Sequence, residues 1–314
     1  MNRPALLLTL LLAAATATQA RAQDNCPTPA QAPTPEQATE GMRSAKDRGA
    51  LWTIRKDGRT SYLYGTTHLG RMDWLFPGPK LMAALRDTAV LAIEVDLMAP
   101  AVQQEMMAAM AAAPAVALND RDRARLGALA KAECVPPGAL DAFHPVMQVY
   151  TYSSLVGRRD GYYPEYAQEF MLTGFARAAQ RPVVSLESIA LQMSVLIPRD
   201  PTEARAAFDE NLKEIEAPDA RAKLRYTVDA WERGDLGAID TLEEACQCVP
   251  TEEQRRFFVA LNDDRNTGLA RRIAEEHAKG VPILAAVGIL HMTGDKAIPK
   301  LLAEMGFEVT RVAY

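Results

Sequence analysis

The sequence carries no cluster of basic residues and no glycine- or serine-rich linker, and only four cysteines and four histidines among 314 residues. A formal charge of −5 with no basic patch argues against nucleic acid and anionic membranes as partners. No segment has the look of a stop-transfer anchor. An apolar run, ALLLTLLLAAA, does follow Arg3, but it is short and gives way to small residues ending in Ala20-Arg21-Ala22 before Gln23. That pattern reads as a secretory signal peptide over residues 1–22, whose removal takes the formal charge from −5 to −7. The alanine- and methionine-rich stretch from Ala99 to Leu118 is interrupted by Gln103, Gln104, Glu105 and Pro114 and reads as a soluble helix. The expectation is a periplasmic or secreted protein with no integral membrane segment after cleavage.

An even count of cysteines in an oxidising compartment points to staples rather than free thiols. Cys26, Cys134, Cys246 and Cys248 remain after cleavage. Cys246 and Cys248 stand too close in sequence to pair comfortably, so each is expected to reach for Cys134 or Cys26. A Cys-Gln-Cys metal site is the alternative, though further ligands near it are not evident.

The lack of a flexible linker makes the chain one large α/β unit rather than tethered modules. A polar, proline-bearing tail over 23–48 leads into a domain over 49–314. LWTIRKDGRTSYLYG reads as a β-hairpin turning at Asp57-Gly58. A helix near Pro79 to Asp87 and the strand VLAIEVD (Val90 to Asp96) follow. From about 100 to 280 the pattern is helical, interrupted only by the β-branched run in RPVVSLES (Arg181 to Ser188). VPILAAVG is a further strand, and the chain closes on a helix and the strand FEVTRVA. Strands separated by helices predict a mixed, mostly parallel central sheet. Its two ends match: each is strand, Gly-x-x-His, helix, strand, once from Ser61 to Asp96 and again from Val281 to Val312, with a large helical insertion between the two half-repeats.

The scarcity of histidine gives that repetition its weight. In a parallel sheet the residues beyond the carboxyl ends of the strands line the binding crevice. His68 and His291 hold equivalent places there, and Gly65 and Gly288 let the backbone leave the sheet sharply. Glu94 falls on the same rim, a carboxylate midway in a strand expected to be covered on both faces, where it needs a cation, a metal or donors. Two imidazoles and a carboxylate would make a three-ligand divalent site with an open fourth position for an ionisable water. The bland alternatives are hydrogen-bonded structural histidines and a Glu94 paired with a buried arginine. Glu187, after the strand PVVSL, either reaches the crevice or caps the next helix. Arg265 either polarises a substrate oxygen or pairs with Asp263, Asp264 or Glu94. His277, in the last turn of a helix, reads as a surface residue suited to the helix dipole. His144 reads as structural.

The ordered set GTTH, IEVD, SLES with Gln192 downstream, DRN, and GILH followed by KLLAEMG resembles the TraB/GumN family, which includes the animal Tiki proteases. The resemblance runs from about Leu51 to Val312. More distantly the arrangement is similar to erythromycin esterases and ChaN-like haem-binding proteins. The Tiki resemblance implies a metal-dependent peptidase (Mn, Co or Zn) held by His68, Glu94 and His291. Glu169 takes the place of an upstream Asp, and Ser188 that of a Thr after Leu186-Glu187. Arg265 and Asn266 match the family's Arg-Asn, while the tryptophan often found after it has no counterpart.

The leading expectation is thus an exported metal-dependent hydrolase, a peptidase first, acting on a peptide or small-molecule substrate. Arg265 would steady the substrate or oxyanion, Glu187 would assist as proton acceptor, and Gly65, Gly288, Asn266 and Glu169 would position. A metal-independent variant uses one histidine as general base. The other class is a protein that binds a peptide or haem without turnover, with Tyr64 or His68 as the axial group.

Overall fold

A computed structural model describes residues 26–246 and 251–314; the proposed signal segment and Cys248 lie outside the described residues, and Cys246 is described in its backbone alone. The chain begins with α1 (Pro35–Arg43), then β1 (Ala50–Lys56), β2 (Arg59–Thr66), α2 (Pro79–Asp87) and β3 (Val90–Ile93). The helical stretch comprises α3 (Pro100–Ala112), α4 (Asp120–Ala132), α5 (Pro145–Leu155) and α6 (Gln168–Ala178), a break at β4 (Val183–Ser185), then α7 (Ile189–Leu196) and α8 (Pro201–Ile215). It continues as α9 (Ala220–Glu232), α10 (Leu236–Asp240), α11 (Leu242–Cys246), α12 (Glu252–Leu261) and α13 (Asp263–Ala278). β5 (Ile283–Gly288), α14 (Ile298–Glu304) and β6 (Glu308–Arg311) complete the fold. Among the described residues no helix is long and apolar enough to cross a membrane.

The hairpin forms where its turn chemistry places it. Asp57 and Gly58 both adopt positive φ, 51° and 70°, the conformation a two-residue hairpin turn needs, and Lys56 pairs with Arg59 across it. The six strands lie in the order β4-β3-β5-β2-β1-β6, with β1 antiparallel to both neighbours and β4, β3, β5 and β2 mutually parallel. The first strands of the two half-repeats, β2 and β5, are therefore side by side at the centre. Gly65 pairs with Val287 and Thr66 with Gly288, so both Gly-x-x-His segments leave the sheet at the same edge.

Two cores hold the fold. One surrounds the sheet, where Leu63, Ile93 and Leu284 meet Leu172 of α6, Trp231 of α9 and Ile273 of α13. Strands covered on both faces are apolar throughout, as β5 (ILAAVG) shows. The second core joins α5, α7 and α8 through Val149, Met193 and Phe208, with Val95 beneath them. The helical insertion thus splits: α6, α9 and α13 clothe the sheet, while around the second core α5 packs on α8 and α7 on α3.

Two expectations change. Cys26 is bonded to Cys134, with Cα atoms 5.8 Å apart, so neither is the partner of Cys246 or Cys248. Within the polar tail, α1 carries a capping box from Thr34 and Gln37, and Gln31 N–H donates to the Tyr166 hydroxyl at 2.7 Å. His277 is not a surface residue. It is 1% exposed because α13 packs its last turn onto the hairpin, where Nδ1 lies 2.9 Å from Ser61 Oγ and Nε2 3.1 Å from the Lys56 carbonyl. Burial lowers its pKa, so the ring sits there as a neutral hydrogen-bonding group. His144 is structural, its Nδ1 accepting from Val146 N–H at the start of α5.

Candidate active site

The first half-repeat supplies an exposed imidazole. β2 ends at Thr66, and the Gly65 carbonyl accepts the Trp231 indole N–H at 2.8 Å, which fixes the exit of the strand from beneath. Two residues past Thr66, His68 presents a side chain 74% exposed, with Nδ1 3.0 Å from Glu169 Oε1. The Thr66 hydroxyl donates to the same oxygen at 2.5 Å. Glu169, at the start of α6, is thereby held in place and raises the His68 pKa, against desolvation, to about 9. Water at the open side of the ring screens part of that attraction.

The second half-repeat supplies a buried one. His291 follows Gly288 by three residues and is 4% exposed. Its Nδ1 lies 2.5 Å from Asn266 Oδ1. With the amide oxygen there as acceptor, Nδ1 carries the hydrogen and Nε2 keeps its lone pair. Burial drives the His291 pKa down to about 4, with the Glu94 carboxylate opposing, so the ring is neutral at neutral pH.

Between the two lies a charged knot. β3 ends at Ile93, one residue short of Glu94, which corrects the expectation of a carboxylate midway in the strand. Backbone pairing nevertheless runs on, Glu187 N–H donating to the Glu94 carbonyl at 3.1 Å, so the two carboxylates emerge together beyond adjacent strands. Glu94 Oε1 accepts the Gly288 N–H at 2.7 Å, and Oε2 accepts Arg265 Nη2 at 2.5 Å. Gln192 bridges Glu94 and Glu187 from α7, at 3.2 and 2.8 Å. Burial alone would raise the Glu94 pKa, but His291, Arg265, His68 and the Gly288 amide outweigh it and hold the carboxyl at about 2.

Arg265 uses every hydrogen it has. Nη2 donates to Glu94 and to Glu187 Oε1, Nε to Glu187 Oε2 at 3.1 Å, and Nη1 to the Leu261 carbonyl at 2.8 Å. The remaining Nη1 hydrogen faces His291 Nε2 at 3.4 Å. A guanidinium has five N–H donors, and all are taken. Arg265 therefore orients Glu94, Glu187 and His291, and it has no hydrogen left for the substrate oxygen expected of it from sequence.

Of the residues singled out in sequence, His68, Glu169, Glu94, Glu187, Arg265, Asn266, His291 and Gly288 gather on one rim. His68 acts electrostatically on both Glu94 and His291. Glu187 is not a helix cap: Ser188 fills that place by accepting from Leu191 N–H. Gly65 packs against the Ile289 side chain, where a Cβ would collide. Tyr64 is 1% exposed and its hydroxyl donates to the Arg48 carbonyl, so it offers nothing to a haem. Thr66 lies inside GTTH but carries no role in the sequence reading, and Trp231 supports the site unannounced by any motif, for a tryptophan in a distant helix carries no spacing signal.

A family model described as the TraB/PrgY/gumN family matches residues 50–311. The chain belongs to that family. No curated protein and no solved structure matches it. The TraB/PrgY/gumN match spans both half-repeats and the helices between them, the same stretch that the sheet and its rim occupy.

The metal that the Tiki resemblance implies can be tested against these donors. Glu94 and His291, two of its three expected ligands, both direct their lone pairs at Arg265. His68 is turned to Glu169. Among the described residues no three His, Cys, Asp or Glu side chains are arranged to hold a metal ion. In this arrangement the donor set does not fit one, because a guanidinium stands where the ion would share the same acceptors.

Proposed function

We propose that the protein is an exported hydrolase of carbonyl substrates, a peptide bond first among them, with His68 as the base that takes a proton from water. The observation that carries this reading is the pairing of an exposed imidazole with a fixed carboxylate: His68 Nδ1 on Glu169, Glu169 on Thr66. Glu169 holds the Nδ1 hydrogen, which leaves the lone pair on Nε2, toward solvent. A water deprotonated there attacks the carbonyl carbon, the carbon–nitrogen bond breaks, and the proton passes from His68 to the departing nitrogen. Glu94, Glu187, Arg265 and His291 form the rigid charged wall beside this step, since each is pinned by at least two partners. Gly288 keeps that wall thin, as a Cβ there would lie 3.2 Å from Glu94 Oε1.

The experiment is digestion of a broad peptide library by the wild-type protein and by His68→Ala, purified identically. Cleavage at defined bonds that disappears in His68→Ala supports the assignment. Identical fragments from both proteins would remove it, and peptides that bind yet stay whole would make the rim a binding site without turnover.

A further inference from the structure

We propose that Arg265 is the resident cation of the rim, a tethered guanidinium that closes the Glu94–Glu187–His291 cluster to divalent metal. The acceptors around it are two carboxylates, a backbone carbonyl and an imidazole lone pair. These are oxygen and nitrogen donors of the kind divalent ions take from proteins. An arginine satisfies them differently. Its planar fork is always charged and spreads five hydrogen bonds over a width no single ion spans, holding the donors apart. The guanidinium is itself sealed in, with a side chain 7% exposed against 11% for Glu94 and 6% for Glu187. A metal ion entering from solvent would meet a like charge and would have to break all five bonds to displace it. Arg265 sits in α13, next to the Asn266 that orients His291, so the same helix turn delivers both the cation and the tautomer.

The consequence is a latent site. With the guanidinium removed, the carboxyl groups of Glu94 and Glu187 and the His291 imidazole would face one another across a buried gap with no cation between them, and a divalent ion is the charge that fits. The claim does not depend on hydrolysis, because its readout is metal affinity.

The test is calorimetric titration of Zn2+ and Mn2+ into wild-type protein, Arg265→Ala and Arg265→Gln, each checked for native circular dichroism. The double variant Arg265→Ala/Glu94→Gln is titrated as well. Arg265→Gln keeps hydrogen-bond donors beside the carboxylates and stands in if the alanine variant does not fold. The expected result is no stoichiometric site in the wild type. A folded Arg265 variant gains one stoichiometric site, at least about a hundred-fold tighter than any residual binding by the wild type, the scale of relieving one close like charge. The gain vanishes when Glu94→Gln is added. The single variant Glu94→Gln is titrated beside the wild type, and stoichiometric binding by the wild type that Glu94→Gln abolishes would overturn the proposal, whatever the Arg265 variants do. A folded Arg265 variant that still binds no metal would overturn it equally.

Discussion

Glu94 Oε2 and Arg265 Nη2 stand 2.5 Å apart although 171 positions separate them in the chain. The contact joins the exit of β3 to the first turn of α13, and through Gly288 it reaches the second half-repeat. Burying a carboxylate this deeply is unfavourable unless its charge is matched, so the fold and the site depend on the same pair. Removing one partner leaves the other buried and uncompensated. Arg265→Ala should lower stability by about 3–5 kcal/mol in chemical denaturation. Arg265→Gln, which keeps some donors, should lose less.

Acid should unfold the protein in two overlapping steps. Glu94 is held at about 2 against an ordinary value of 4.5, so its contribution is present above pH 4.5 and lost as pH falls toward 2. His291 is held at about 4 against 6.5, so the unfolded chain binds the extra proton and stability falls as pH drops from 6.5 toward 4. Each shift corresponds to roughly 3 kcal/mol. Urea midpoints measured from pH 7 to pH 3 should decline throughout, and His291→Gln should flatten the part between pH 6.5 and pH 4.

The pH dependence of turnover has the opposite origin. With a His68 pKa of about 9, the neutral base is a minor form at neutral pH. On any peptide the protein cleaves, kcat/KM should rise with pH and level off near 9. Glu169→Gln removes the carboxylate that raises the pKa and should move the inflection down toward the ordinary histidine range. A profile that falls through the same range would reverse the role of His68 from base to acid.

The glycines of the rim should not be equivalent. At Gly70 an added Cβ would run into the Tyr166 backbone carbonyl beside the Gly70–Tyr163 bridge, so Gly70→Ala should depress the melting temperature and solubility. At Gly288 the clash is with Glu94, which the Gly288 amide and Arg265 both hold. Gly288→Ala should therefore fold but lose about tenfold or more in kcat/KM, the cost of a small displacement in a positioned site.

The disulfide anchors the N-terminal segment to the helical insertion across 108 positions. Cys134→Ser should lower the unfolding free energy by about 2–4 kcal/mol. Tyr163 and Tyr166, which hydrogen-bond to Thr28 and Gln31, should become more accessible in that variant, as read by tyrosine fluorescence quenching.

Much of this was legible in the sequence because it rests on local rules. Asp-Gly set the hairpin, apolar runs set β3 and β5 and a β-branched run β4, and the repeated Gly-x-x-His set two strand exits on one edge. Glu94 was conspicuous for being a charge in an apolar run. What the sequence left open was the choice of partner. A charge among apolar residues states that it needs one, and of the two readings of Glu94, a metal ligand or the partner of a buried arginine, the structure pairs it with Arg265. Cys26 and Cys134 show the same limit, since an even cysteine count gives no connectivity. His277 misled because a helix C-terminus suits an exposed cation, while the packing of α13 on the hairpin made it a buried acceptor and donor for Ser61 and Lys56.

The central claim is that two imidazoles from distant half-repeats share one charged rim and are poised in opposite protonation states. Nitrogen-15 NMR of histidine-labelled protein, titrated from pH 4 to pH 10, measures this directly. The account predicts one neutral ring with its hydrogen on Nδ1 across the neutral range, assigned to His291 by its loss in His291→Gln. It predicts a second ring, His68, still protonated at pH 7 and titrating well above 6.5, with both sets of signals disturbed by Glu94→Gln. Two rings that both titrate near 6.5 and ignore that substitution would contradict it.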